Sequence, residues 1–300
     1  MEYQEKPVSA SAEGSAFSIN WYPGHMTKAK RQMQEDMKLI DLVIELVDAR
    51  APLSSRNPDI DELGRNKARL VLLNKTDLAD IRQNDGWKAY FQEKGFHVVQ
   101  MDSRSGAGIK SIQGVIREAC REKIERDRSR GIKNRPIRAM VVGIPNVGKS
   151  TFINALAGRA CAKTGNRPGV TRGKQWIRLN KEVELLDTPG ILWPKFEDPV
   201  TGLHLAFIGS IKDDIFNIEE AALLLVHFLK ERYPGVLSAR YAFASEGTEL
   251  EILGEIARAR GCLKKGEELD YEKACGILLD DFRAGRLGRI SVEWAPEKEG

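Results

Sequence analysis

Cysteine and histidine are both scarce in this chain, with four of each in 300 residues. The cysteines, at 120, 161, 262 and 275, are never spaced as C-x-x-C, and no histidine stands at a zinc spacing from them. That argues against a disulfide scaffold or a cysteine zinc module and for reduced, mostly buried thiols. Long apolar runs are missing too. The longest, residues 221–229, is broken by His227 and is far short of a bilayer span. No charged-then-apolar leader opens the sequence, and Glu2, Glu5 and Glu13 sit where a transit segment is poor in acids. The expectation is a cytoplasmic protein with no membrane partner.

What is present is a globular composition, 42% hydrophobic and 30% charged, in a length that suits two domains. The net charge of +4 hides an asymmetry. Residues 1–199 carry 34 Lys and Arg against 25 Asp and Glu, whereas residues 200–300 carry 13 against 18. Two stretches without any acid hold most of the excess. One, 128–138, contains Arg128, Arg130, Lys133, Arg135 and Arg138; the other, 159–178, contains Arg167, Arg172 and Lys174 among six bases. Such density suits a polyanion, nucleic acid above all, while a solvated face is the plain alternative for either run alone.

Residues 1–18 read as a disordered tail, followed by a polar helix over about 27–41. Apolar extended runs at 42–47, 70–73, 98–101, 138–142, 175–179 and 183–186 alternate with helical stretches. That alternation predicts an α/β domain over 19–195, a mostly parallel sheet with helices on both faces. Past Pro194 the strand signals fade. Helices are expected at about 199–211, 218–233, 248–260 and 270–284, making 196–300 an all-α domain.

The strongest chemical signal is Gly143-Ile144-Pro145-Asn146-Val147-Gly148-Lys149-Ser150-Thr151. It fits G-x-x-x-x-G-K-[ST] between a strand and a helix, where backbone N–H groups and the helix N-terminus cradle phosphate. Lys149 would reach the β and γ phosphates and Ser150 would ligate Mg²⁺. Base choice falls to Asn74-Lys75-Thr76-Asp77 after the strand at 70–73. The Asp77 carboxylate can accept from guanine N1 and its exocyclic amine, the Lys75 stem can lie across the base, and Asn74 can tie two loops together. Asp102, Ser103 and Arg104 follow the strand at 98–101 and would supply backbone contacts to guanine O6. Asp187-Thr188-Pro189-Gly190 reads as a second Mg²⁺ element, with Asp187 acting through water and the Gly190 amide sensing the γ-phosphate. Thr171, lying between the phosphate loop and Asp187, is the switch threonine that completes the magnesium shell.

In a Ras-like GTPase the phosphate loop comes first and N-K-x-D late; here the order is reversed, as in a circularly permuted P-loop domain. Together with Tyr22-Pro23-Gly24-His25-Met26, Asp48-Ala49-Arg50-Ala51-Pro52 and the helical tail, the motifs resemble the ribosome biogenesis GTPase A family, over about residues 20–290. The resemblance implies a GTP-hydrolysing switch that assembles the large (50S) ribosomal subunit, docking with GTP and leaving on hydrolysis. GTP, GDP and the subunit precursor would be its partners, and a monomer is expected. Asn146 resembles that of GTPases recruiting K⁺ beside Mg²⁺, with a loop-stabilising role as the alternative. Arg283, Arg286 and Arg289 recur every third residue and could form one edge of a helical RNA contact, while the net acidity of 200–300 leaves ribosomal protein as the alternative partner there.

Ile191 stands where Ras-type enzymes keep a water-orienting Gln, and it neither donates nor accepts a hydrogen bond. The same residue keeps alive a reading as a nucleotide-dependent scaffold that binds RNA with negligible hydrolysis. His25, presented by the Pro23-Gly24 turn, is the substitute to which the resemblance points, and hydrolysis without the ribosomal particle is expected to be slow. The variant His25→Ala is expected to lower particle-stimulated turnover and to spare nucleotide affinity; a fully active variant removes His25 from the mechanism.

Overall fold

The computed structural model describes residues 11–12, 15–17, 24–132, 135–158, 175–188, 198–243 and 247–296, with backbone alone at 11–12, 15–16 and 24–29. The chain divides into two compact units. One takes Met1–Trp21 and Phe196–Ile290, the other Tyr22–Lys195 and Ser291–Gly300.

The first unit opens with two short strands, β1 (Ser11–Ala12) and β2 (Ser15–Ala16), paired antiparallel. Phe17, the next residue, is buried against Phe216. The described part of this segment therefore differs from a disordered tail, because an aromatic side chain anchors it.

The second unit begins with α1 (Gly24–Met37), whose Met33 and Met37 join Ile40, Val43, Met140 and Leu186 in one apolar cluster. The strands follow: β3 (Leu42–Asp48), β4 (Ala68–Asn74), β5 (His97–Gln100), β6 (Ile137–Val142), β7 (Gln175–Arg178) and β8 (Val183–Asp187). They form one six-stranded sheet in the order β5-β4-β3-β6-β8-β7, parallel except for the β7–β8 edge pair. All seven residues of β3 are buried, the pattern of a central parallel strand covered on both faces. Its one charged interior residue, Glu45, accepts from Arg56 and Arg69, as a buried carboxylate must. The helices between strands are α2 (Asp59–Leu63), α3 (Ile81–Glu93), α4 (Ile109–Ala119), α5 (Arg121–Ser129) and α6 (Lys149–Ala157). From α3, Trp87 and Phe91 pack on Val47, Val71, Leu73 and Val98.

In the remainder of the first unit the regular elements among the described residues are helices, α7 (Pro199–Phe207), α8 (Ile218–Arg232), α9 (Val236–Tyr241), α10 (Glu249–Ala259) and α11 (Tyr271–Arg283), with a 3₁₀ turn at Asp213–Ile215 and one antiparallel bridge between Leu263 and Leu269. Side-chain caps start four of them: Asp198, Asn217, a Thr248–Glu251 capping box and Asp270. The short α9 lies between two expected helices, where Tyr233-Pro234-Gly235 read only as a break.

Candidate functional site

Every strand that carries a motif presents it at the same, carboxyl edge of the parallel sheet, where α/β folds place their ligands. Register does this directly: Asp48 of β3 pairs with Asn74 of β4, and Leu73 pairs with Gln100 of β5. On the other side, Val141 of β6 pairs with Asp187 of β8.

The loop between β6 and α6 is tight. A Cβ on Gly143 would stand 2.7 Å from the Leu46 carbonyl oxygen, and one on Gly148 only 2.5 Å from Asn74 Nδ2. Gly148, at φ +98°, also takes a conformation that side chains resist. Asn146 sits at φ +61°, the left-handed region that asparagine tolerates best among residues with a side chain. Lys149 opens α6 and folds back over the loop, its Nζ donating to the Gly143 and Ile144 carbonyls at 3.0 and 3.3 Å.

Asn74 joins this loop to the others. Its Nδ2 donates to the Val147 carbonyl at 2.7 Å, while its Oδ1 accepts from both the N–H and the hydroxyl of Ser103, at 3.0 and 2.9 Å. Thr76 N and Oγ1 both donate to the Met101 carbonyl, stitching the 74–77 segment to the 101–105 loop. Asp102 closes that loop on itself, accepting from the N–H groups of Arg104 and Ser105.

Asp187 ends β8 almost fully buried, and its Oδ1 meets no hydrogen-bond donor among the described residues. Burial pushes its carboxyl pKa up, with Lys149 opposing the shift. Thr188, the next residue, ties β8 to β6 by donating to the Val141 carbonyl. A buried carboxylate oxygen lacking a donor, together with the Ser150 hydroxyl in the first turn of α6, is a hard oxygen set that fits Mg²⁺.

Thr171, Gly190, Lys133, Arg167, Arg172 and Lys174 lie outside the described residues, as does the side chain of His25 in α1. Arg128, Arg130 and Arg135 are exposed at and beyond the end of α5. The three arginines expected along one helix edge in the helical unit do not share a helix. Helix α11 stops at Arg283, and Arg286 and Arg289 follow it, exposed, in the turn and bend beyond. Arg283 is itself spent on structure, pairing with Asp213 at 2.7 Å and donating to the Ala206 and Phe207 carbonyls. Arg286 pairs with Asp281. Cys120 and Cys275 are buried, and burial pushes both thiols up to about 12, which leaves them inert.

One feature of the site was not legible as such. Lys75 Nζ donates to Asp48 Oδ2 at 2.8 Å, and Arg50 grips the same carboxylate through Nε and Nη2. The hints in the sequence are the Asp48-Ala49-Arg50-Ala51-Pro52 segment and the position of Asp48 at a strand end beside the N-K-x-D strand.

Comparisons agree with the geometry. A family described as 50S ribosome-binding GTPase matches residues 138–249, from β6 onward. Ribosome biogenesis GTPase A of Bacillus cereus is 50% identical over 283 residues, covering 94% of this chain and 95% of the relative. Its counterpart from Thermotoga maritima is 33% identical, covering 92% and 94%. A crystal structure of GNP-bound YlqF from T. maritima superposes with a TM-score of 0.65 at 29% identity, over 90% of this chain and all of that one.

The charge state of Lys149 gives a measurable consequence. Burial lowers its pKa to about 8, the Asp187 carboxylate opposing the fall. Phosphate placed beside it favours the ammonium form. Binding of GDP is thus expected to take up about half a proton at Lys149 at pH 8 and almost none at pH 6, where the group is already charged. Calorimetric titration in buffers of different ionisation enthalpy checks this; uptake no greater at pH 8 than at pH 6 contradicts it.

Proposed function

The chain belongs to the ribosome biogenesis GTPase A family, a group of circularly permuted GTPases that convert GTP to GDP and phosphate, and from that premise we propose how its residues serve large-subunit assembly. The protein binds a precursor of the large ribosomal subunit in its GTP form and leaves on hydrolysis. The observation that best supports the nucleotide-binding half of this reading is the Asn74 bridge, which ties the base loop, the Ser103 loop and the phosphate loop together.

In this reading the carboxylate of Asp77 selects guanine, the Lys75 stem covers the base plane, and the backbone at Asp102, Ser103 and Arg104 meets guanine O6. The N–H groups from Gly143 to Thr151, Asn146 and Val147 included, cradle the phosphates, where Lys149 neutralises charge on the β and γ groups. Gly190 senses the γ-phosphate. Ser150, Thr171 and Asp187 hold Mg²⁺, which when bound neutralises charge developing on the transferred phosphoryl group. Asn146 admits K⁺ as a second ion, and its left-handed backbone gives the same residue a structural use.

His25 orients the attacking water in place of the side chain that Ile191 cannot supply, so turnover without the particle is slow. Arg128, Arg130 and Arg135, exposed on the GTPase unit, meet ribosomal RNA together with Lys133, Arg167, Arg172 and Lys174. The protein works as a cytoplasmic monomer. Among the described residues no helix is long and apolar enough to cross a membrane.

Co-sedimentation with large-subunit precursors tests the proposal. Retention is expected to be at least about tenfold greater with a non-hydrolysable GTP analogue than with GDP, the equivalent of the smaller couplings typical between two ligand sites. Equal retention in the two nucleotide states overturns it.

A further inference from the structure

Asp48 lies at the carboxyl end of β3, fully buried, with its register partner Asn74 beside it. Its carboxylate accepts four hydrogen bonds. Arg50 provides three, from its backbone N–H at 3.1 Å, Nε at 2.9 Å and Nη2 at 2.8 Å; Lys75 provides the fourth, from Nζ at 2.8 Å. Four donors exhaust the capacity of one carboxylate. Burial alone would push the Asp48 carboxyl up, but Arg50 and Lys75 hold it well below the usual carboxylate range, so it stays ionised.

Lys75 needs such an anchor. Its φ is +61°, a left-handed conformation that costs a residue with a side chain free energy, and nothing in lysine itself repays that cost. The loop that begins there also carries Asp77. With the ammonium tied to Asp48, the methylene stem is the part of Lys75 left to face the base.

Arg50 is fixed from its other side by the segment at the end of the chain. The Val292 and Glu293 N–H groups both donate to the Arg50 carbonyl, at 2.8 and 3.2 Å. The Glu293 carboxylate accepts from Leu53 and Ser54 N–H and from the Ser54 hydroxyl. Ser291 Oγ accepts from Asp80 N–H, and Trp87 Nε1 donates to the Glu293 carbonyl. The stretch just past the helical unit is thus built into the base side of the GTPase unit.

We propose that Asp48 is a positioning residue for base recognition: clamped by the Arg50 fork and the 291–295 segment, its carboxylate fixes Lys75 and so sets the loop that presents Asp77 to guanine. The proposal rests on the base-loop reading above and assigns it a control group that never touches nucleotide. Removing the carboxylate frees Lys75 to relax and lets the loop drift, which weakens discrimination by base rather than contact with phosphate.

The test is a double-mutant cycle on the full chain, read by dissociation constants for GDP and for IDP, which lacks the exocyclic amine. Lys75→Met and Asp48→Asn are each expected to weaken GDP about tenfold and to narrow the GDP-to-IDP ratio, the double variant losing no more than either alone. Effects that multiply in the double variant, or a lowered melting temperature with an unchanged GDP-to-IDP ratio in Asp48→Asn, overturn the positioning role. Should Asp48→Asn not fold, Arg50→Lys, which keeps the charge and loses the fork, takes its place in the cycle under the same criteria. If Lys75→Met itself leaves GDP affinity intact, the base-loop reading fails instead, an outcome distinct from the first two.

Discussion

The site depends on one buried side-chain amide. Asn74 uses its donor on the phosphate loop and its acceptor on the Ser103 loop, and its Nδ2 lies so close to Gly148 that nothing larger than hydrogen fits on that Cα. Each of these bonds is worth about 1 kcal/mol net, but a buried amide stripped of its partners costs about 1–3 kcal/mol per orphaned group. The penalty for misplacement exceeds the gain from any single bond. Three loops from three different strands consequently hold one arrangement.

Around that bridge the charges are arranged in two buried sets of opposite character. On the phosphate side, Lys149 and Asp187 are both buried without a direct ion pair between them, each shifted toward its neutral form by burial. Such groups are poised to gain from a phosphate and a cation. On the base side, Asp48 is saturated by Arg50 and Lys75 and has nothing left to offer a ligand. The first set is chemistry held in readiness; the second is scaffolding. Chain connectivity links them to the helical unit at different places, past Asp187 on the way out and at Ser291 on the return.

Much of this was legible in the sequence because the signals were local. The six extended runs fall within or beside the six strands of the sheet. For the inner strands the reason is that continuous apolar stretches bounded by turns define a doubly covered parallel strand, whereas β7 is an exposed antiparallel edge. G-x-x-x-x-G-K-S and N-K-T-D carry their loop geometry in their own residues, so Lys149, Asn74 and Lys75 could be named without coordinates. The rest depended on contacts distant in sequence. Asp48 meets Lys75 across 27 residues and Glu293 meets Ser54 across 239, and no pattern in either neighbourhood announces the partner. The arginines at 283, 286 and 289 do not lie along one helix because the period of three runs past the residue where α11 ends. The last ten residues group with the GTPase unit, not with the helices they follow, for the same reason: burial of Val292 and the Glu293 cap are tertiary facts.

The most direct measurement is amide hydrogen exchange on the nucleotide-free Asn74→Ala variant. If Asn74 makes the loops one unit, exchange accelerates together at 101–105 and 143–150, by about tenfold, the rate equivalent of roughly 1.4 kcal/mol of lost local stability. Acceleration confined to one of the two loops, or absent from both, contradicts the account.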